Sequence, residues 1–193
     1  MQKKKSSIYR LTVIALMAAM VYMATNFRID IPTPLGKTML HLGNVMCILS
    51  GLLFGGWIGG LASGIGSAFY DLLDPSFAPG FMITFFMKFA LGAAAGAIAH
   101  YNGARGENQK QNLVGAIAGA LLYVILYIAK TFVAKYLIVG EHLEVVMSVV
   151  VIKGTVSLTN AVIAVVTSMI LSILIVPPLR SAGILKKIRR AKQ

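Results

Sequence analysis

Residues 42–73 are apolar or small almost without interruption, a run of 32 residues. As one helix it would extend about 48 Å at 1.5 Å per residue, well beyond the roughly 30 Å of bilayer hydrocarbon. Gly55-Gly56-Trp57, near its middle, is the natural place to turn, so the run predicts two short membrane helices, 42–55 and 57–73. Similar runs predict spans at 8–27, 81–100, 113–138 and 147–176. The first of these follows Lys3, Lys4 and Lys5, exceeds a secretory signal core and lacks a small-residue cleavage site, so it reads as a retained helix. Residues 1–193 thus read as a single all-α integral membrane domain of six transmembrane helices, with no room for a separate soluble domain. Only 12% of residues are charged, against about a quarter in soluble chains, and 58% are apolar.

The breaks between spans carry turn formers and charges that lipid would leave unsatisfied. Arg28, Asp30, Pro32, Pro34, Gly36 and Lys37 predict a long loop over 28–40. Asp74-Pro75 and Pro79-Gly80 end the third span, residues 101–112 are polar, 140–144 form a polar turn, and Pro177-Pro178 stops the sixth span.

A net charge of +12 raises nucleic acid as a partner, but the placement of the charges excludes that reading. Lys3 to Lys5, Arg10, Arg105, Lys110, Arg180, Lys186, Lys187, Arg189, Arg190 and Lys192 fall on one side of a six-span chain; Arg28, Lys37 and marginally Lys135 fall on the other. The positive-inside rule then places both termini in the cytoplasm. The lone cysteine, Cys47, sits in an apolar run and reads as a small hydrophobe.

Lys88, Lys130 and Lys153 lie inside otherwise apolar spans. A lysine at a helix centre costs about 2.5–3.5 kcal/mol on insertion scales, so such residues face a protein interior or a watery cavity. In the six-span topology all three sit roughly 9–12 Å below the outer boundary, at one depth. Their neighbours extend polar stripes: Tyr123, Tyr127 and Lys130 share one helix face, Lys153, Ser157 and Asn160 another, and Thr84 and Lys88 a third. These stripes predict a common pocket. The alternatives are lysines that snorkel separately to the interface, and tyrosines and an asparagine that only bond between helices. Asp71 and Asp74 stand either as pocket acceptors or as helix-end and ion-pair groups.

Small residues recur every four positions at Gly51, Gly55 and Gly59, at Gly56, Gly60 and Gly64, and at Gly92/Gly96 and Gly115/Gly119, which suits close helix packing. Ala15 and Ala19 make a smooth stripe on the first helix, available to an internal or an external partner. Gly36-Lys37-Thr38 is not a phosphate loop, because Ile31 stands where the earlier glycine belongs, and Gly64-Ile65-Gly66 follows no strand. His41, His100 and His142 are dispersed, so neither a catalytic set nor a metal site is expected. No cofactor is expected either.

Six short spans, the basic N-terminus, Ala15-x-x-x-Ala19, the run Leu40-His41-Leu42-Gly43-Asn44, the Gly51 to Gly55 segment, and the stretch from Gly64 to Asp71 carry a resemblance. The chain resembles the substrate-binding S components of energy-coupling-factor (ECF) vitamin transporters, in the branch of hydroxymethylpyrimidine- and pyridoxine-type members. The resemblance implies capture of a small vitamin or precursor at the outer side of a prokaryotic plasma membrane. A transmembrane coupling subunit and two cytoplasmic ATPases would supply the energy, and Ala15 and Ala19 would contact the coupling subunit. It also implies that the 28–40 loop, with Arg28, Asp30 and Lys37, is a lid over the pocket, and that the loaded protein topples to present it inward. The rival readings are an intramembrane lipid-binding protein or enzyme, and a stand-alone secondary transporter; the last is disfavoured by missing inverted repeats and intramembrane acids.

Overall fold

The polarity of the folded chain is inverted relative to a soluble protein. Phe86, Ile125, Val162 and Leu174 are each more than 60% exposed, while Lys88, Ser63, Asn112 and Ser172 are buried. An outer surface of large apolar side chains is stable against lipid rather than water, and polar groups in such a protein turn inward. The computed structural model describes residues 2–183; of the basic residues assigned to the cytoplasmic side, Lys186, Lys187, Arg189, Arg190 and Lys192 lie outside them.

Helix α1 (Gln2–Asn26) leads into a hairpin of strands β1 (Arg28–Thr33) and β2 (Gly36–His41), followed by α2 (Gly43–Phe54), α3 (Gly56–Leu73), α4 (Phe81–Ala99), α5 (Gln109–Phe132) and α6 (Leu143–Ser181). A π-helical segment, Val133–Ile138, continues α5. Ser7–Asn26, Ala78–Ala99, Gln109–Ile138 and Leu143–Ser181 are long and apolar enough to cross a membrane, and Gly43–Phe54 is apolar but shorter. The protein is therefore a helical membrane protein.

Gly55 separates α2 from α3 at φ 87°, a left-handed conformation that a β-carbon disfavours. The break falls in the stretch where the sequence predicts the turn. Packing explains part of the glycine periodicity: a Cβ on Gly51 would meet the backbone of Gly92 and Gly96, so α2 and α4 touch main chain to main chain. Around this crossing Val21, Ile48, Leu52, Leu91, Ala95, Ala120 and Ala164 form the buried core.

Three local expectations change. The predicted 28–40 loop is instead an antiparallel hairpin, pairing Arg28 with His41 through Thr33 with Gly36 around a two-residue turn at Pro34 and Leu35. A two-stranded ribbon is all edge, so Pro32, which has no N–H to donate, fits on its open side. Helix α5 starts at Gln109, ahead of the predicted 113, because the Asn108 side chain caps the amides of Lys110 and Gln111. Helix α6 runs through Pro177 and Pro178 to Ser181, where the prolines were expected to end it. Each ring removes one donor while keeping a helical φ, and the Ala182 amide closes the last turn on the Pro178 carbonyl.

Candidate functional site

A cavity of about 370 Å³ lies between the hairpin and helices α3 to α6. Thr84, Lys88, Tyr123, Tyr127, Lys130, Lys153, Ser157 and Asn160 all line it, from three separate helices. The polar stripes read from helical periodicity thus converge on one space. Lys37, Thr38 and His41 of the hairpin line it too, with Asp71 of α3 and Lys135 of the π-helical segment.

Lys88 is 4% exposed, donates to the Asn44 side-chain carbonyl, and sits 3.9 Å from the centre of the Tyr123 ring. A hydrogen bond and an aromatic face together replace part of the hydration that burial removes from an amine. Tyr123 stacks on Tyr127 with ring centres 5.8 Å apart, and the Lys153 amine is 6.0 Å from the Tyr127 ring. Asp71, also buried, faces Thr84, Lys88 and Lys130. The Ser157 hydroxyl is buried without a hydrogen-bond partner among the described residues. An unsatisfied hydroxyl on a polar cavity wall is available to a bound molecule.

Asn160 serves the scaffold as well as the cavity. Its carbonyl accepts from the His41 amide at 2.9 Å, and its amide nitrogen donates to the Met39 carbonyl at 2.9 Å, so α6 holds β2 at both atoms. The bonding alternative read from sequence is realised here, on a residue that also lines the cavity. Thr38 meets the Tyr127 hydroxyl at 3.1 Å and adds a second tie.

The other edge of the hairpin is held by charge. Arg28 pairs with Asp74 at 2.7 Å and with Asp30 at 3.2 Å, while Lys37 pairs with Asp30 at 2.9 Å and reaches Asp74 at 3.8 Å. Arg28 also lies over Tyr70, and Lys37 over Phe77. Burial acts to raise the Asp74 carboxyl, but the Arg28 bond, the Ser76 amide and the Lys37 charge outweigh it and hold the group below the usual carboxylate range. Burial likewise acts to lower the Arg28 guanidinium, and Asp74, Tyr70 and Asp30 more than offset it. Asp74 is thus an ion-pair group, and Asp71 a cavity residue.

Ala15 and Ala19 are exposed on α1, whereas Ala18 is buried where α1 meets Gly66 of α3. The stripe therefore faces away from the bundle. Asn44 and Lys135 were not singled out by sequence reasoning as site residues. Asn44 stands in the quoted Leu40 to Asn44 motif, but no spacing links it to Lys88. Lys130 and Lys135 lie five apart, on different faces of a regular α-helix, and only the widened π turn brings both to the cavity.

Bundle, hairpin and a lysine-lined cavity define a membrane-embedded binding protein. A family model described as "ECF-type riboflavin transporter, S component" matches residues 5–177. The chain belongs to that family, and is a substrate-binding subunit of an ECF-type vitamin transporter that works with a membrane coupling subunit and ATPases. The family is one of transporter components and not of enzymes. No curated protein sequence matches the chain.

Proposed function

We propose that the cavity beneath the hairpin captures a small vitamin or vitamin precursor, of the hydroxymethylpyrimidine or pyridoxine type, for uptake energised by partner ATPases. The observation that carries this reading is the convergence of Lys88, Lys130 and Lys153 on one space beside the stacked Tyr123–Tyr127 pair. The amines suit an anionic or electron-rich group, and Tyr127 offers a ring face to a heterocycle. Asp71 and the free Ser157 hydroxyl accept from ring substituents. The matched family model is described as a riboflavin transporter component, and riboflavin is a larger ligand, with a three-ring head and a polyhydroxylated chain. Five lysines and an aspartate on these walls favour a smaller, more polar ring.

The topology that goes with this function has six spans, both termini in the cytoplasm of a prokaryotic cell, and the cavity in the outer half of the membrane. The hairpin is the lid, and the exposed Ala15 and Ala19 are the contact for the coupling subunit.

Titrating purified protein in detergent with pyridoxine, hydroxymethylpyrimidine and their phosphate esters, alongside Lys88→Met, Lys130→Met and Lys153→Met, tests the site. A hydrogen bond to a charged group contributes about 1.5–3 kcal/mol, so each variant should bind roughly ten- to a hundredfold more weakly while still folding. Unchanged affinity in all three would contradict the assignment.

A further inference from the structure

The lysines around the cavity differ in what already holds them. Lys37 is paired with Asp30 and Asp74, and Lys88 is held by Asn44 and the Tyr123 ring. Lys130, Lys135 and Lys153 make neither an ion pair nor a hydrogen bond among the described residues, although all three line the cavity. Lys130 and Lys135 are also the charges that bear most on Lys153. The Lys130 amine lies beside Gly80, at the start of α4. Asp71 is the only carboxylate lining the cavity among the described residues, and it faces Lys88 as well as Lys130. Three amines around one cavity, with a single carboxylate divided between Lys88 and Lys130, leave an excess of positive charge for a ligand to neutralise.

The backbone is shaped to produce this cluster. The bonds of the Val133–Ile138 segment run from residue i to i+5, which turns Lys135 to the side that Lys130 occupies. In a regular helix Lys135 would point well away from it. π turns are uncommon and concentrate at functional sites.

We propose that Lys130, Lys135 and Lys153 form a phosphate subsite, so that the compound captured is a phosphate monoester of the heterocycle rather than its free alcohol. This rests on the reading of the cavity given above and deepens it. A phosphate monoester presents three terminal oxygens and close to two negative charges at neutral pH, one oxygen for each amine. A carboxylate offers two oxygens and one charge and leaves a lysine unpaired. The ring then lies toward Tyr127, with Asp71 and Lys88 reading its substituents.

The test titrates the purified full-length chain with matched pairs: pyridoxine and pyridoxine 5′-phosphate, hydroxymethylpyrimidine and its phosphate, riboflavin and flavin mononucleotide. In at least one pair the ester should bind about tenfold tighter or better. Lys135→Met should bring that ratio near one, and Lys135→Arg should restore it, whereas a merely structural role would weaken both members alike. Should Lys135→Met fail to fold, the wild-type ratio and Lys135→Arg still decide. Equal or tighter binding of the alcohol overturns the phosphate subsite and leaves the vitamin reading standing. Failure of both members of every pair overturns both. Displacement of bound ester by phosphatidylglycerol in mixed micelles, at concentrations where the ester itself binds weakly, assigns the amines to a lipid headgroup and also overturns the proposal.

Discussion

His41 and Asn160 show how single residues join hairpin and bundle. The Asn160 side chain uses both its polar atoms on the backbone of β2, and His41 turns back to accept the Gly43 amide on Nδ1 at 3.0 Å. That bond requires a neutral ring with its proton on Nε2. Burial, and then the charges of Lys88 and Arg28, push the His41 imidazole well below its ordinary value. The sign follows: below about pH 6.5 the unfolded chain takes up a proton that the folded chain refuses. The stability from this group is therefore complete above about pH 6.5 and declines as pH falls, by up to about 1.4 kcal/mol per unit. Thermal midpoints measured between about pH 5 and 8 should fall on the acid side, and His41→Asn should flatten that fall. An identical acid slope in the variant would contradict the assignment. Lys88, Lys130 and Lys153 were legible in the sequence because a charge in an apolar span has few stable destinations. Asn44 was not, because its meeting with Lys88 depends on how α2 and α4 cross.

At the scale of elements, apolar length specified the helices and the glycine pair at 55–56 specified the break between α2 and α3. The hairpin escaped because Asp30, Pro32 and Pro34 have the composition of a loop. What makes strands of 28–41 is tertiary: the Asn160 bonds on β2 and the Asp74 pair on β1. The π turn after α5 has no sequence signal, and with it Lys135 was hidden. The ion quartet of Arg28, Asp30, Lys37 and Asp74 ties the hairpin edge to the end of α3. These partly exposed pairs, with side chains 13–38% accessible, contribute about 1 kcal/mol each. Arg28→Gln should then speed ligand release by about fivefold and raise hydrogen exchange in β1, with little change in thermal stability. Unaltered release and exchange would show that Asn160 and Thr38 alone hold the hairpin.

At the scale of the whole molecule, the chain divides its labour by surface. Its lipid-facing side is apolar, its interior between the hairpin and α3 to α6 is cationic, and its α1 stripe at Ala15 and Ala19 is smooth and unoccupied by the bundle. A binding subunit that leaves ATP hydrolysis to partners needs an interior that can hold a ligand, and the cavity beneath the hairpin is such a space. A folded chain of this kind should bind a vitamin-like heterocycle on its own. Thermal unfolding of the purified protein in detergent, screened against hydroxymethylpyrimidine, pyridoxine, thiamine, riboflavin and pantothenate and the phosphate esters of the first four, tests it directly. One chemical series should stabilise the protein, by about 2.7 kcal/mol at a hundred times the dissociation constant. Folded protein that none of these compounds stabilises would contradict it.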